Sequence, residues 1–268
     1  MGHPGRQLGV LALVLVTAAV ALLAALTLRP LLPGWPYWPG DAAAASLPSL
    51  PEPLSAQPLG APAPPPEGSG GYTLLDSQDG RAVTWDPCRP VHYVVDTRTA
   101  PPGGEYQLAD ALARLQTVTG LVFVADGATD EVPDDRRAPY QPERYGDRWA
   151  PVLVSWSDPA AHPDLAGDVA AYAGPQPVDG AAPGSRRYVT GVLVLDGPQL
   201  AEMAAGPAGL ARARAVVLHE LAHLIGLGHV EDHRQLMYPS TTPLVVDFAD
   251  GDLRGLAEVS SGPCFRDF

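Results

Sequence analysis

The chain has 268 residues and a formal charge of −13, with no basic run, which argues against a nucleic-acid partner. Its 17 cationic residues are all arginine, and with its richness in Ala, Pro and Gly this suggests a high-GC bacterial genome. Length allows one or two domains, but the first quarter is poorly suited to folding. One domain over residues 72–268 is therefore expected, large enough for a sizeable core.

Residues 1–7 are expected in the cytoplasm, and residues 8–28 form an uncharged run long enough to span a bilayer as a helix. Trp35, Tyr37 and Trp38 suit the outer membrane–water interface. The alternative is a secretory signal, with Ala19-Val20-Ala21 as the cleavage site. Either reading puts the remainder outside the cytoplasm. Residues 29–71 are dominated by Pro, Ala, Gly, Leu and Ser, and so many prolines leave no helical or strand period. A semi-extended tether is expected there.

Residues 91–96 are β-rich and predict a strand. Leu108, Ala111, Leu112, Leu115 and Val118 recur at helical spacing within 106–119, and Gly120 is a stop signal. Residues 121–124 predict a second strand ending near the Asp126-Gly127 turn signal, 151–156 a third and 188–195 a fourth, with a short edge strand near 169–172. Helices are expected over 210–224 and 251–259, the latter with Asp250 as N-cap. This order predicts an α+β domain with a small twisted mixed sheet, a long site-bearing helix and a C-terminal helix. Cys88 and Cys264 bracket the domain; export favours a disulfide between them, the alternative being two buried thiols.

Residues 219–229 read H-E-x-x-H-x-x-G-x-x-H. Residues four apart on a helix lie one above the other, so His219 and His223 face the same way. Gly226 permits the helix to stop and the chain to turn, bringing in His229 as third ligand. Three imidazoles suit one Zn2+ ion and leave a fourth position open, the pattern of a catalytic site. Glu220 flanks the site and would serve as general base toward zinc-activated water.

The motif resembles that of the metzincin metallopeptidases. Met237, in Leu236-Met237-Tyr238-Pro239, is similar to their Met-turn, and its position eight residues after His229, with Asp232 between, resembles the matrixin branch. The resemblance implies a zinc endopeptidase fold, protein or peptide substrates, and Met237 as an apolar floor beneath the ligands. Residues 252–256 are similar to the closing helix of that branch. The chain lacks a cysteine-switch propeptide. His162-Pro163-Asp164 is similar to part of the branch's structural zinc site, but no histidine follows before His219, so His162 is expected at the surface. Thr241 stands where the branch usually has the Tyr that shapes the specificity pocket. His233 is expected at the surface and Tyr238 in the core. Calcium and oligomeric state are left open. Two other functions compete with the peptidase: a non-catalytic binding or scaffold module of the same shape, and a zinc hydrolase of non-peptide amides.

Overall fold

The computed structural model describes residue 48 and residues 54–266, except 69, 135, 181–183 and 241–243. All of these lie in one unit, Gly40–Phe268. The segment 8–28 and Thr241 fall outside the described residues. Among those described, no helix is long and apolar enough to cross a membrane.

The domain begins with three two-residue strands, β1 (Thr73–Leu74), β2 (Ser77–Gln78) and β3 (Arg81–Ala82). The main sheet follows with β4 (Val91–Asp96), helix α1 (Gly104–Thr119), β5 (Phe123–Ala128), the one-turn helix α2 (Pro142–Tyr145) and β6 (Val152–Ser157). A 3-10 turn (Pro163–Leu165), β7 (Ala171–Val178) and β8 (Arg187–Asp196) complete it. The chain closes with α3 (Gly197–Ala205), α4 (Gly209–Ile225), β9 (Leu227–Gly228) and α5 (Asp250–Ser260). Among the described residues the sheet has the order β5-β4-β6-β8-β7, with β7 antiparallel to β8 and the other pairings parallel. The expected α+β class and mixed sheet are what the chain adopts.

Burial explains these elements. Every residue of β6 is buried, as an apolar run covered on both faces of a sheet should be. Helix α1 buries Leu108, Ala111, Leu112, Leu115 and Val118 on one stripe and stops at Gly120, whose φ of 69° suits glycine. Helix α4 is buried at every position from Ala215 to Ile225, because it lies against β7 and β8 with α1 and α3 beside it. Truncating any of Leu218, Leu221 or Leu224 to Ala would cost about 2–5 kcal/mol.

Several expectations need correction. The second strand starts at Phe123, not Leu121, and continues through Asp126-Gly127. Gly127, at φ 106°, takes up a shift of register against β4, so the Asp-Gly pair makes a bulge instead of a turn. The edge strand is longer than 169–172, running to Val178 through Pro175 and Pro177, which an edge position tolerates. Helix α3 was not anticipated; Asp196 caps it by accepting from Gln199 N at 2.8 Å. Asp250 is the first residue of α5 and not its N-cap, and the Asp252 carboxylate instead accepts from Ala249 N at 2.8 Å.

The later part of the expected tether lies on the domain. Ser55 N donates to Cys88 O at 3.0 Å, Leu59 N to Pro87 O at 2.9 Å, and Ala63 N to Val118 O at 3.0 Å. Further on, Arg254 bonds Gly70 O. A disulfide joins Cys88 to Cys264.

Candidate metal centre

His219 and His223 lie one turn apart near the C-terminal end of α4. Gly226 ends the helix in the left-handed region at φ 118°, and its N–H bonds back to Ala222 O and His223 O. A Cβ there would also stand 3.1 Å from the Tyr188 ring, so glycine serves both the turn and the packing. The turn delivers His229 to its partners. The three Nε2 atoms are mutually 2.9, 3.1 and 3.1 Å apart.

Proton placement shows what this triangle requires. His219 Nδ1 donates to Leu236 O at 2.7 Å, and His223 Nδ1 to Leu227 O at 2.6 Å. Burial lowers the pKa of His219 to about 4, and burial with the neighbouring rings holds His223 well below the ordinary range. His229 is also lowered by burial. A neutral ring with its proton on Nδ1 carries a lone pair on Nε2. Neither His219 nor His223 then has a proton to place between their Nε2 atoms, and such crowded lone pairs call for a cation. Tetrahedral zinc with Zn–N distances of 2.0–2.1 Å sets its nitrogens roughly 3.3 Å apart, close to the spacing here. The three residues therefore fit a zinc ion, and the second-nitrogen bonds of His219 and His223 to backbone carbonyls are the usual way such ligands are oriented.

Glu220 is also buried, and its carboxylate receives a hydrogen bond from the Ala173 backbone on β7. Burial pushes its pKa up to about 8. A cation on the adjacent imidazoles would draw that value down again.

The turn at Met237 supports the centre from the other side. Met237 is buried in the core, and its carbonyl accepts from Val230 N at 3.0 Å, directly after His229. Leu236 supplies the carbonyl that orients His219. Asp252 holds this turn by accepting from Leu236 N at 2.8 Å and Met237 N at 3.2 Å. Gln235 Oε1 accepts from Gly251 N and Asp252 N, joining the turn to the start of α5. Beyond it, Asp247 pairs with Arg114 of α1 at 2.9 Å and Arg214 of α4 at 3.5 Å.

Ala173, Asp252 and Gln235 were not singled out as site residues from sequence. Asp232 lies outside the ligand cluster: its carboxylate pairs with Arg234 at 2.8 Å, a bond that lowers its pKa to about 2. His162 is not a surface residue as expected but half-buried, bonded to Tyr172 Oη and stacked on that ring. His233 is exposed and Tyr238 half-buried, with ring centroids 6.5 Å apart. Among the described residues, a second cluster of possible ligands is Asp86, Cys88 and Cys264, whose two sulfurs are joined in the disulfide.

Two comparisons with known proteins bear on this region. The matrixin family profile matches residues 169–259, which include β7, β8, all three histidines, Met237 and α5 up to Val259. Over 47 residues the chain is 43% identical to Metalloendoproteinase 1 of Glycine max, a stretch covering 17% of this chain and 15% of that relative. Both similarities support a metalloprotease of matrixin type.

Proposed function

We propose that this chain is a zinc-dependent endopeptidase that hydrolyses protein or peptide substrates on the outer side of a bacterial membrane. The observation that carries the reading is the convergence of three Nε2 atoms within 3.1 Å, beside a buried carboxylate. His219, His223 and His229 would hold the ion. When bound, zinc supplies Lewis acidity toward water and the scissile carbonyl.

The chain's own groups do the rest. Glu220 takes a proton from the attacking water at a carboxylate oxygen and passes it to the leaving amine. Its burial keeps bulk water away, and the Ala173 amide fixes which way the carboxylate points. Met237 floors the ligand cluster. The Cys88–Cys264 disulfide supports folding in an oxidising compartment. Residues 8–28 would deliver the domain there, as an uncleaved anchor or as a signal that is removed.

Metal analysis combined with cleavage of a broad peptide library, wild type against Glu220→Ala, tests the proposal. About one zinc per chain is expected in both proteins. Chelator-sensitive cleavage is expected in the wild type alone. Undiminished cleavage by Glu220→Ala would overturn the mechanism, and zinc uptake without cleavage of any peptide would favour a binding module.

A further inference from the structure

The last carbonyls of an α-helix have no partners within the helix and must find them elsewhere. In α4 these carbonyls belong to the turn that carries the chain from His223 to His229. Gly226 N takes Ala222 O and His223 O. Two more carbonyls of this turn are reached from far away in sequence. The Trp85 indole Nε1 donates to Leu224 O at 2.8 Å in a buried bond, and Leu75 N donates to Gly226 O at 2.8 Å. Strand β1 pairs with β9, Thr73 opposite Gly228 and Leu74 opposite Leu227. Leu227 in turn supplies the carbonyl that orients His223.

Residues 73–85 thus grip the turn at both ends. The β2–β3 hairpin connects the two grips, with Ser77 opposite Ala82, and Val83 N closes onto Asp76 O at 3.2 Å. The indole packs near the Tyr188 ring at 6.2 Å, the same ring that faces Gly226. Three residues after Trp85, Cys88 ties the segment to Cys264.

We propose that residues 73–85 are a positioning bracket for the metal centre. By fixing the backbone of residues 224–228, Trp85 and Leu75 set where His229 meets His219 and His223, so metal retention depends on two residues that are not ligands. This inference rests on the zinc reading above.

The test uses the full chain loaded with zinc. Release to a chromophoric chelator is followed for wild type, Trp85→Phe and Leu75→Pro, with Val154→Ala in the central strand β6 as a destabilised control. Trp85→Phe keeps an aromatic ring and removes the N–H. Leu75→Pro removes a backbone donor, and it decides the question should Trp85→Phe fail to fold. Losing support of this kind typically weakens metal binding about 10–100-fold, and that range is expected for both bracket variants. The control should lower the melting temperature of the metal-free protein without speeding zinc loss. Zinc release equal to wild type in the bracket variants would overturn the proposal, as would equally fast release from the control. Failure of the wild type to take up zinc would sink the metal reading itself, and this proposal with it.

Discussion

Asp252→Asn probes whether the turn at Met237 supports the metal centre. Asp252 is 1% exposed. One of its oxygens accepts from Leu236 N and Ala249 N, each at 2.8 Å, and the other from Met237 N at 3.2 Å. Asparagine has the same shape but a single acceptor. With its oxygen on the two shorter bonds, its NH2 faces the Met237 N–H, donor against donor; the opposite orientation forfeits two bonds. The better orientation leaves a buried backbone donor unpaired, at about 1–3 kcal/mol. The unpaired NH2 adds a penalty of the same kind. An offset comes from the lost charge: burial raises the Asp252 pKa, its three backbone donors pull it down, and Asp232 adds to the rise, with the net shift upward. The folded state therefore gains from having a neutral side chain there, and the expected net loss stays at about 1–3 kcal/mol. Urea unfolding of metal-free protein at neutral pH measures it. Because Leu236 O orients His219, zinc affinity should also fall by about tenfold or more. A stability within about 0.5 kcal/mol of wild type, with zinc affinity unchanged, would refute the argument.

Two further outcomes are expected. The Cys88–Cys264 bond spans 176 residues of sequence. In the chain-entropy account, a loop of that length is worth about 5 kcal/mol, so Cys88→Ala with Cys264→Ala should lose about that much in urea unfolding. The m-value should rise as the unfolded chain expands, and an unchanged m-value would count against an unfolded-state origin. Glu131 contributes to acid sensitivity. It is paired with Arg137 through both oxygens, at 2.9 and 3.0 Å, with both residues buried. Burial raises its pKa, but the bonds and charge of Arg137, with bonds from Tyr145 and Gln141, outweigh this and hold it below the ordinary value. A depressed carboxylate contributes stability above its unfolded pKa of about 4.3 and loses it as pH falls through the folded value. Glu131→Gln should therefore be less stable by about 3 kcal/mol at neutral pH. The difference should shrink steadily below about pH 4.5. Unfolding midpoints that run parallel for the two proteins down to low pH would contradict this.

The histidine cluster was legible because its geometry is local. Four-residue spacing on a helix and a glycine able to turn the chain suffice to bring His219, His223 and His229 together, and each step can be read from neighbouring residues. The sheet was legible for a similar reason, since β6 and β8 are apolar runs. The edges were not. Pro175 and Pro177 argue against a strand in general, yet β7 passes through both because it lies at the sheet's edge. Gly197-Pro198 looks like a turn, but proline suits the first turn of a helix and Asp196 caps it, so α3 begins there. In each case local chemistry was compatible with two structures, and the tertiary setting chose.

The supports of the site were illegible for a stronger reason. His219 is oriented by Leu236 O, and that turn is held by Asp252, sixteen residues farther along. His223 is oriented by Leu227 O, on a strand paired with β1, and Trp85 reaches the same helix end across 139 residues. Glu220 takes its donor from Ala173, on an edge strand. Most of these bonds end on a backbone C=O, which every residue possesses, or on an N–H, which only proline lacks, so side-chain identity carries little trace of them. The eleven residues from His219 to His229 specify which nitrogens converge. Their orientation comes from β1, Trp85, β7, the turn at Met237 and α5, and this is why so short a motif needs a whole domain around it.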